Sequence, residues 1–163
     1  AGIVEQSEPR RYRELTAPVY VSDHGRYMVA LPADEYRISF TFVTDHPVVG
    51  TQYAEYAITP QIFEREIAPA RTIGFAEQIE AMRRDGLAIG GNLDLAVVVG
   101  QDGYLNPRRY PDEIVRHKIL DIIGDLSLVG PLRAHIIAIK SGHQVDAMLA
   151  KELVKSLNVA QAD

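Results

Sequence analysis

The sequence predicts an α+β fold: a two-layer domain with a mainly antiparallel or mixed sheet packed on two main helices, plus a small β-α-β insert. Three observations predict it. Tyr36-Arg37-Ile38-Ser39-Phe40-Thr41-Phe42 alternates strictly, so Tyr36, Ile38, Phe40 and Phe42 share one face of a half-buried strand. Residues 111–128 and 141–157 each repeat apolar positions at helical spacing. Strands fill the first third of the chain, and helices mix with strands after it.

Each element has a local signal. Residues 18–21 are short and β-branched, and Asp23-His24-Gly25 reads as a turn into a second strand, 26–31, ended by Pro32. His46-Pro47 breaks the alternating strand, and 53–58 is a further, weaker one. Thr59-Pro60 opens a short helix, with Thr59 as N-cap and Pro60 in the first turn, and Pro69 stops it. Residues 71–75 read as a loop and 75–84 as a helix ending at Asp85-Gly86. A short strand at 87–89, a turn at 90–92 and a buried strand at 95–99 complete the insert, about 75–99. Pro111-Asp112-Glu113 opens the long helix, with acids where the dipole favours them, and Gly130-Pro131 ends it. An apolar strand follows at 134–139. Ser141 and Gln144 have the spacing of a capping box for the last helix. That helix carries Val145, Met148, Leu149, Leu153 and Leu157 on its apolar side, and 158–163 reads as a frayed tail.

Composition narrows the function. The 163 residues suit one domain, and 47% hydrophobic content supports a sizeable core. Seventeen basic against 22 acidic residues give a net charge of −5, which argues against nucleic acid as a partner. The lack of cysteine excludes disulfides and thiolate metal sites. No apolar run approaches the ~20 residues of a membrane helix, and no basic-then-apolar leader opens the chain, so a cytoplasmic location is expected. Ala1 stands without an initiator Met, which fits Met removal or a piece of a longer chain.

The long helix carries the polar chemistry. With His117 as zero, Val115, Ile119, Ile122, Ile123 and Leu126 lie roughly 140–240° away and form the core face. His117, Lys118, Asp121 and Asp125 fall within roughly the first 100° of arc, with Ile114 the one apolar exception. His117 and Asp121 are four apart, so imidazole nitrogen and carboxylate can share one Zn²⁺. Spacing alone favours a solvated His–Asp pair over a metal site. Gly124 leaves open space beside Asp121 and Asp125. His143 sits in the first turn of the last helix, where the dipole disfavours imidazolium and an aspartate such as Asp125 would favour it. Locally it reads as a polar helix-start residue. His24 and His46 in turns, and His135 in a strand, have structural readings. Thr72, followed by Gly74, offers a loop hydroxyl.

Together these segments resemble a known family. Val115-Arg116-His117-Lys118-Ile119-Leu120-Asp121-Ile122-Ile123-Gly124-Asp125 resembles the signature helix of the UDP-3-O-acyl-N-acetylglucosamine deacetylases, zinc amidases of lipid A synthesis. Lys140-Ser141-Gly142-His143 resembles the family's second motif. Arg71-Thr72-Ile73-Gly74-Phe75 resembles its Thr-containing loop, with Ile73 where the family usually shows Phe. Gly86-Leu87-Ala88-Ile89-Gly90-Gly91-Asn92 resembles the turn inside its insert, and the likeness runs from about Ala1 to Leu153. The resemblance implies hydrolysis of the N-acetyl group of a UDP-linked, acylated glucosamine. It implies His117 and Asp121 as two of three protein ligands to a catalytic zinc. Asp125 would orient His143 and favour its charged form. His143 and Thr72 would stabilise the oxyanion. Lys118 would meet the sugar or phosphate region, and Phe75, Ile79, Ala88, Gly91 and Ala96 would line the acyl passage.

The family has two similar domains, and residues 1–163 match the second. The first domain, the implied partner, supplies the third ligand, a His, and the glutamate base, so this chain alone is expected to be catalytically silent. Val43 and Thr44 stand where the family often has an acidic and an aromatic residue that help hold uridine, so the nucleotide contacts depart from its pattern. The competing readings are a non-catalytic acyl- or nucleotide-binding module of the same fold, and a structural domain whose neighbour covers an exposed face.

Overall fold

A computed structural model of the chain describes residues 4, 7, 11–86 and 94–159. Its first strands follow the period-2 pattern: β1 (Arg13–Glu14), β2 (Val19–Asp23), β3 (Arg26–Pro32), β4 (Tyr36–Phe42) and β5 (Gln52–Ala57). His24 and Gly25 turn β2 into β3 with φ of 45° and 76°, the left-handed region that two-residue hairpins demand. Thr59 caps α1 (Pro60–Ile62) by accepting from the Ile62 amide at 3.2 Å. α1 widens directly into a π-helical turn, Phe63–Ile67, before Pro69 ends the segment.

The second half supplies β6 (Thr72–Phe75), α2 (Ala76–Arg84), β7 (Ala96–Val99), α3 (Glu113–Leu126), a 3₁₀ turn (Ser127–Val129), β8 (Leu132–Ile139) and α4 (His143–Val159). The main sheet runs β2-β3-β8-β4-β5. β8 pairs antiparallel with β3 and parallel with β4, and its first two residues pair with β1. The last long strand to be made therefore becomes the centre of the sheet. Leu132, Ala134, Ile136 and Ala138 of β8 point inward beneath α3 and α4. They join Met28, Ala30, Ile38 and Phe40 from the sheet, Val115, Ile119, Ile122 and Leu126 from α3, and Val145, Leu149, Leu153 and Leu157 from α4. Each large side chain fully buried there contributes about 1.5–3 kcal/mol.

Four expectations are corrected. Residues 71–75 are not a loop, because β6 pairs in parallel with β7, Thr72 against Ala96 and Phe75 against Val99. The β-α-β unit is thus β6-α2-β7 and begins at Thr72; the expected strand at 87–89 and turn at 90–92 lie outside the described residues, as does the tail at 160–163. The capping box does not form: α4 starts at His143, and the Ser141 hydroxyl donates to Asp146 instead. Asp112 and Glu113 do not serve the helix dipole alone. Asp112 accepts from Arg116 at 2.7 Å, and Glu113 is fully buried against Arg71.

Ile114, the apolar residue on the polar arc, packs with Val49 and Val99 in a second, smaller cluster beneath the insert. α3 is therefore buried along its core face and, at its first turn, on the arc that carries the polar stripe one turn further on. Asn106 completes the insert by acting as a substitute strand: it accepts from the Val98 amide at 2.9 Å and donates to the Ala96 carbonyl at 2.8 Å.

Glu113 fastens the insert to the main layer. It accepts from the Arg71 amide at 3.0 Å, from Arg71 Nε at 2.9 Å and from the Arg109 amide at 2.6 Å. Burial raises its pKa, but these donors outweigh burial and hold it below the usual carboxylate range. Removing one partner of a buried ion pair strands the other charge. Glu113→Ala is expected to cost about 3–5 kcal/mol, read as a lower urea midpoint, with Arg71→Ala and the double variant testing whether the two effects are shared.

Candidate active site

The polar stripe of α3 meets the first turn of α4, and five of the predicted site residues, His117, Lys118, Asp121, Asp125 and His143, lie along it. His117, Lys118 and Asp121 are half-buried on α3. His117 Nε2 faces Asp121 Oδ1 at 3.3 Å, and Lys118 Nζ donates to Asp121 Oδ2 at 2.8 Å. On the far side of the ring, His117 Nδ1 stands 3.1 Å from the Ala70 carbonyl. A carbonyl accepts only, so this contact places a proton on Nδ1 and makes Nε2 the nitrogen that faces Asp121. That is how proteins orient metal-ligating histidines. Two N and O ligands at about 2.0–2.1 Å on a tetrahedral ion sit about 3.4 Å apart, close to the separation seen here. The donor set therefore fits zinc.

One turn on, Asp125 Oδ2 accepts from His143 Nδ1 at 2.7 Å. Gly124 beside it leaves open space, since a side chain there would meet nothing within 4 Å. The His143 side chain is 71% exposed, so its Nε2 edge is available to a ligand. The turn that delivers it is tight: Lys140 holds φ of 56°, and its amide donates to the Thr41 carbonyl at 3.0 Å. The Asp125 hydrogen bond, then its negative charge, raise the His143 pKa above the ordinary imidazole value.

Asp146 was not anticipated. It is 1% exposed, three residues after His143, and accepts from the buried Ser141 hydroxyl. Burial first, then Asp125, push its carboxyl up to about 6. Asp125, His143 and Asp146 bring ligand-type atoms within 4.8 Å of one another, close enough to hold a metal ion. They already satisfy one another, with His143 donating to Asp125 and Ser141 to Asp146. A sequence signal existed: Asp146 lies three residues before Leu149, on the side of α4 that carries Val145, Leu149 and Leu153. Its meaning required Asp125 on another helix.

Thr72 is exposed at the start of β6, and Ala70 and Arg71 just before it are tied to His117 and Glu113 on α3. Phe75 ends β6 and stacks on His46, ring centroids 5.2 Å apart. Both line a cleft of about 650 Å³ with Thr44, Asp45, Glu77 and Gln101. His46, expected to be structural, thus also faces this cleft. Ile79 packs over Gly74, where a β-carbon would come 2.7 Å from Ile79 Cδ1. Ala96 is half-buried at the start of β7. Ala88 and Gly91 lie outside the described residues.

The family model described as UDP-3-O-acyl N-acetylglycosamine deacetylase matches residues 1–155. The chain belongs to that family. UDP-3-O-acyl-N-acetylglucosamine deacetylases of this kind include one from Leptospira biflexa, 44% identical over 153 residues, which cover 93% of this chain and 51% of the relative. One from Chlamydia felis is 43% identical, covering 96% of this chain and 58% of the relative. One from Syntrophotalea carbinolica is 38% identical, covering 96% and 52%. This deacetylase-family chain thus spans about half the length of the curated relatives it matches. Among the described residues, no helix is long and apolar enough to cross a membrane.

The raised His143 value fixes a pH dependence. The His143–Asp125 pair contributes its full stability below the ordinary imidazole pKa of about 6.5, and loses it as pH rises through the folded-state value. An NMR titration of the His143 ring should show a midpoint above that of a free imidazole. Asp125→Asn should return it to the ordinary range, and the stability gap between the two proteins should narrow at alkaline pH.

Proposed function

We propose that this chain is one half of a zinc-dependent deacetylase that removes the N-acetyl group of UDP-3-O-acyl-N-acetylglucosamine in lipid A synthesis. In this reading residues 1–163 form its second domain. The observation that carries the reading is the pairing on one stripe of a ligand-like His117–Asp121 dyad with a charged His143–Asp125 dyad. Family membership and the relatives' names supply the substrate class.

His117 and Asp121 would hold the zinc, which when bound polarises the acetyl carbonyl and lowers the pKa of water. The chain's own residues do the rest. His143 presents Nε2–H to the developing oxyanion, and the Asp125 carboxylate stabilises the imidazolium. A water would add to the acetyl carbon as the glutamate of the other half takes its proton; as the C–N bond then breaks, Nε2 passes its proton to the amine, acetate departs, and Nδ1–H stays with Asp125. The Thr72 hydroxyl donates a second hydrogen bond to the oxyanion. Lys118 meets the sugar or phosphate once released from Asp121, and the β6-α2-β7 insert, with Phe75, Ile79, Ala88, Gly91 and Ala96, lines the acyl passage. A glutamate base and a third ligand would come from the other half of a family-length protein.

The second reading, a non-catalytic acyl- or nucleotide-binding module, explains the cleft but gives no role to the two histidine dyads.

Three measurements test this reading. Acetate release should be undetectable with the isolated chain and appear on adding a separately expressed first domain with zinc; brisk turnover by the chain alone would overturn the divided site. In that assembly Thr72→Val should lower kcat about 10²-fold with little change in KM. Calorimetric zinc binding to the assembly should fall at least tenfold in His117→Ala; unchanged affinity would remove His117 from the ligand set.

A further inference from the structure

Beneath the His143–Asp125 pair lies a carboxyl group that the proposed chemistry does not use. Asp146 is buried on the first turn of α4, its Oδ1 accepting from Ser141 and a carboxyl oxygen lying within 4.8 Å of Asp125 and His143. Two carboxylates this close cannot both ionise without strong repulsion. The proton belongs on the buried member, because Asp125 is more exposed and holds the His143 imidazolium.

We infer that Asp146 is a positioning residue: in its protonated form it donates to Asp125 from the core side and fixes the carboxylate that holds His143. The inference rests on the reading of His143 as the group that meets the oxyanion. The order is then Ser141 to Asp146, Asp146 to Asp125, and His143 to Asp125 from the opposite side. Asp125 is clamped between a buried donor and an exposed one. Without the buried donor it would be free to rotate about its side-chain bonds, and His143 would lose its fixed direction.

The groups facing Asp146 from each neighbouring element agree with a protonated carboxyl. α3 presents Asp125, the same turn of α4 presents His143, and the turn before it presents the Ser141 hydroxyl. β4 presents Tyr36, whose own ionisation is pushed up by burial and then by the charge Asp146 would carry. His143 is the one cation among these groups, and its ring is held by Asp125. The value of about 6 for Asp146, against an ordinary aspartate near 4, has the sign this arrangement requires, so the clamp is in place below about pH 6 and is released as Asp146 ionises above it.

The variants Asp146→Asn and Asp146→Ala separate the role from mere packing. Asn keeps a donor toward Asp125 and an acceptor for Ser141; Ala keeps neither. In the assembled enzyme assayed below about pH 6, where Asp146 holds its proton, Asn should retain kcat within about threefold, whereas Ala should lose about tenfold in kcat with KM unchanged, the scale of a misaimed catalytic group. In the 163-residue chain itself, carbon-13 NMR should show the Asp146 carboxyl titrating near 6, moving down in Asp125→Asn. The His143 midpoint should fall in Ala. Equal loss in Asn and Ala, harmless replacement by Ala, or an Asp146 carboxyl that titrates near 4 would each overturn the proposal. So would added Zn²⁺ that shifts Asp125, His143 and Asp146 in preference to His117 and Asp121. The titrations stand if Ala fails to fold, because Asn and the parent chain suffice for them. An inactive assembly of the parent chain would count against the catalytic reading, while the titrations would still decide the place of the proton.

Discussion

The helix α3 is held from two directions at once, and the remaining structure depends on that constraint. On one side Val115, Ile119, Ile122 and Leu126 pack into the main core. On the other Ile114 packs with Val49 and Val99 under the insert. Glu113, with no exposed surface, anchors the helix start through Arg71 and the Arg109 amide. A helix buried on two sides cannot roll or slide without opening one cluster. Its remaining polar strip, His117 to Asp125, is therefore presented at a fixed angle to α4.

The same fastening couples the strip to the insert. The residues that lead into β6 answer to α3 twice: Ala70 through His117 and Arg71 through Glu113. Thr72 is the next residue, so its backbone is set by contacts that belong to the helix. Central β8 does the corresponding work for α4. Its parallel pairing with β4 places Lys140 beside Thr41, and the left-handed Lys140 turns the chain so that His143 enters beside Asp125. Dyads on two helices thus rest on separate pieces of backbone that converge.

Much of this was legible in the chain. β4 could be read from its alternation because one face is packed and the other is not, and a period-2 pattern records that difference. The α3 stripe was legible for the same reason at period 3.6, and Ile114 marked the second contact without saying what it touched. β6 was hidden because its hydrogen bonds go to Ala96–Val99, some 24 residues away in the register, and a short Gly-containing stretch has no period of its own. The Ser141–Gln144 box had correct spacing and did not form, because the Ser141 hydroxyl turns to the buried Asp146 carboxyl as a donor rather than to the Gln144 amide as an acceptor.

By itself the sequence determined the fold class, the family and the polar face of α3, since periodicity and motif spacing are local properties that each segment carries with it. It also determined the ligand types, because a chain without cysteine must rest any metal on His, Asp or Glu. The tertiary structure alone decided which nitrogen of His117 faces Asp121, because the Ala70 carbonyl that holds the other lies 47 residues away. It alone brought Asp146 against Asp125. Whether a carboxyl group is an ordinary charge or a buried, proton-holding donor depends on what surrounds it, and that neighbourhood is assembled from elements distant in the chain.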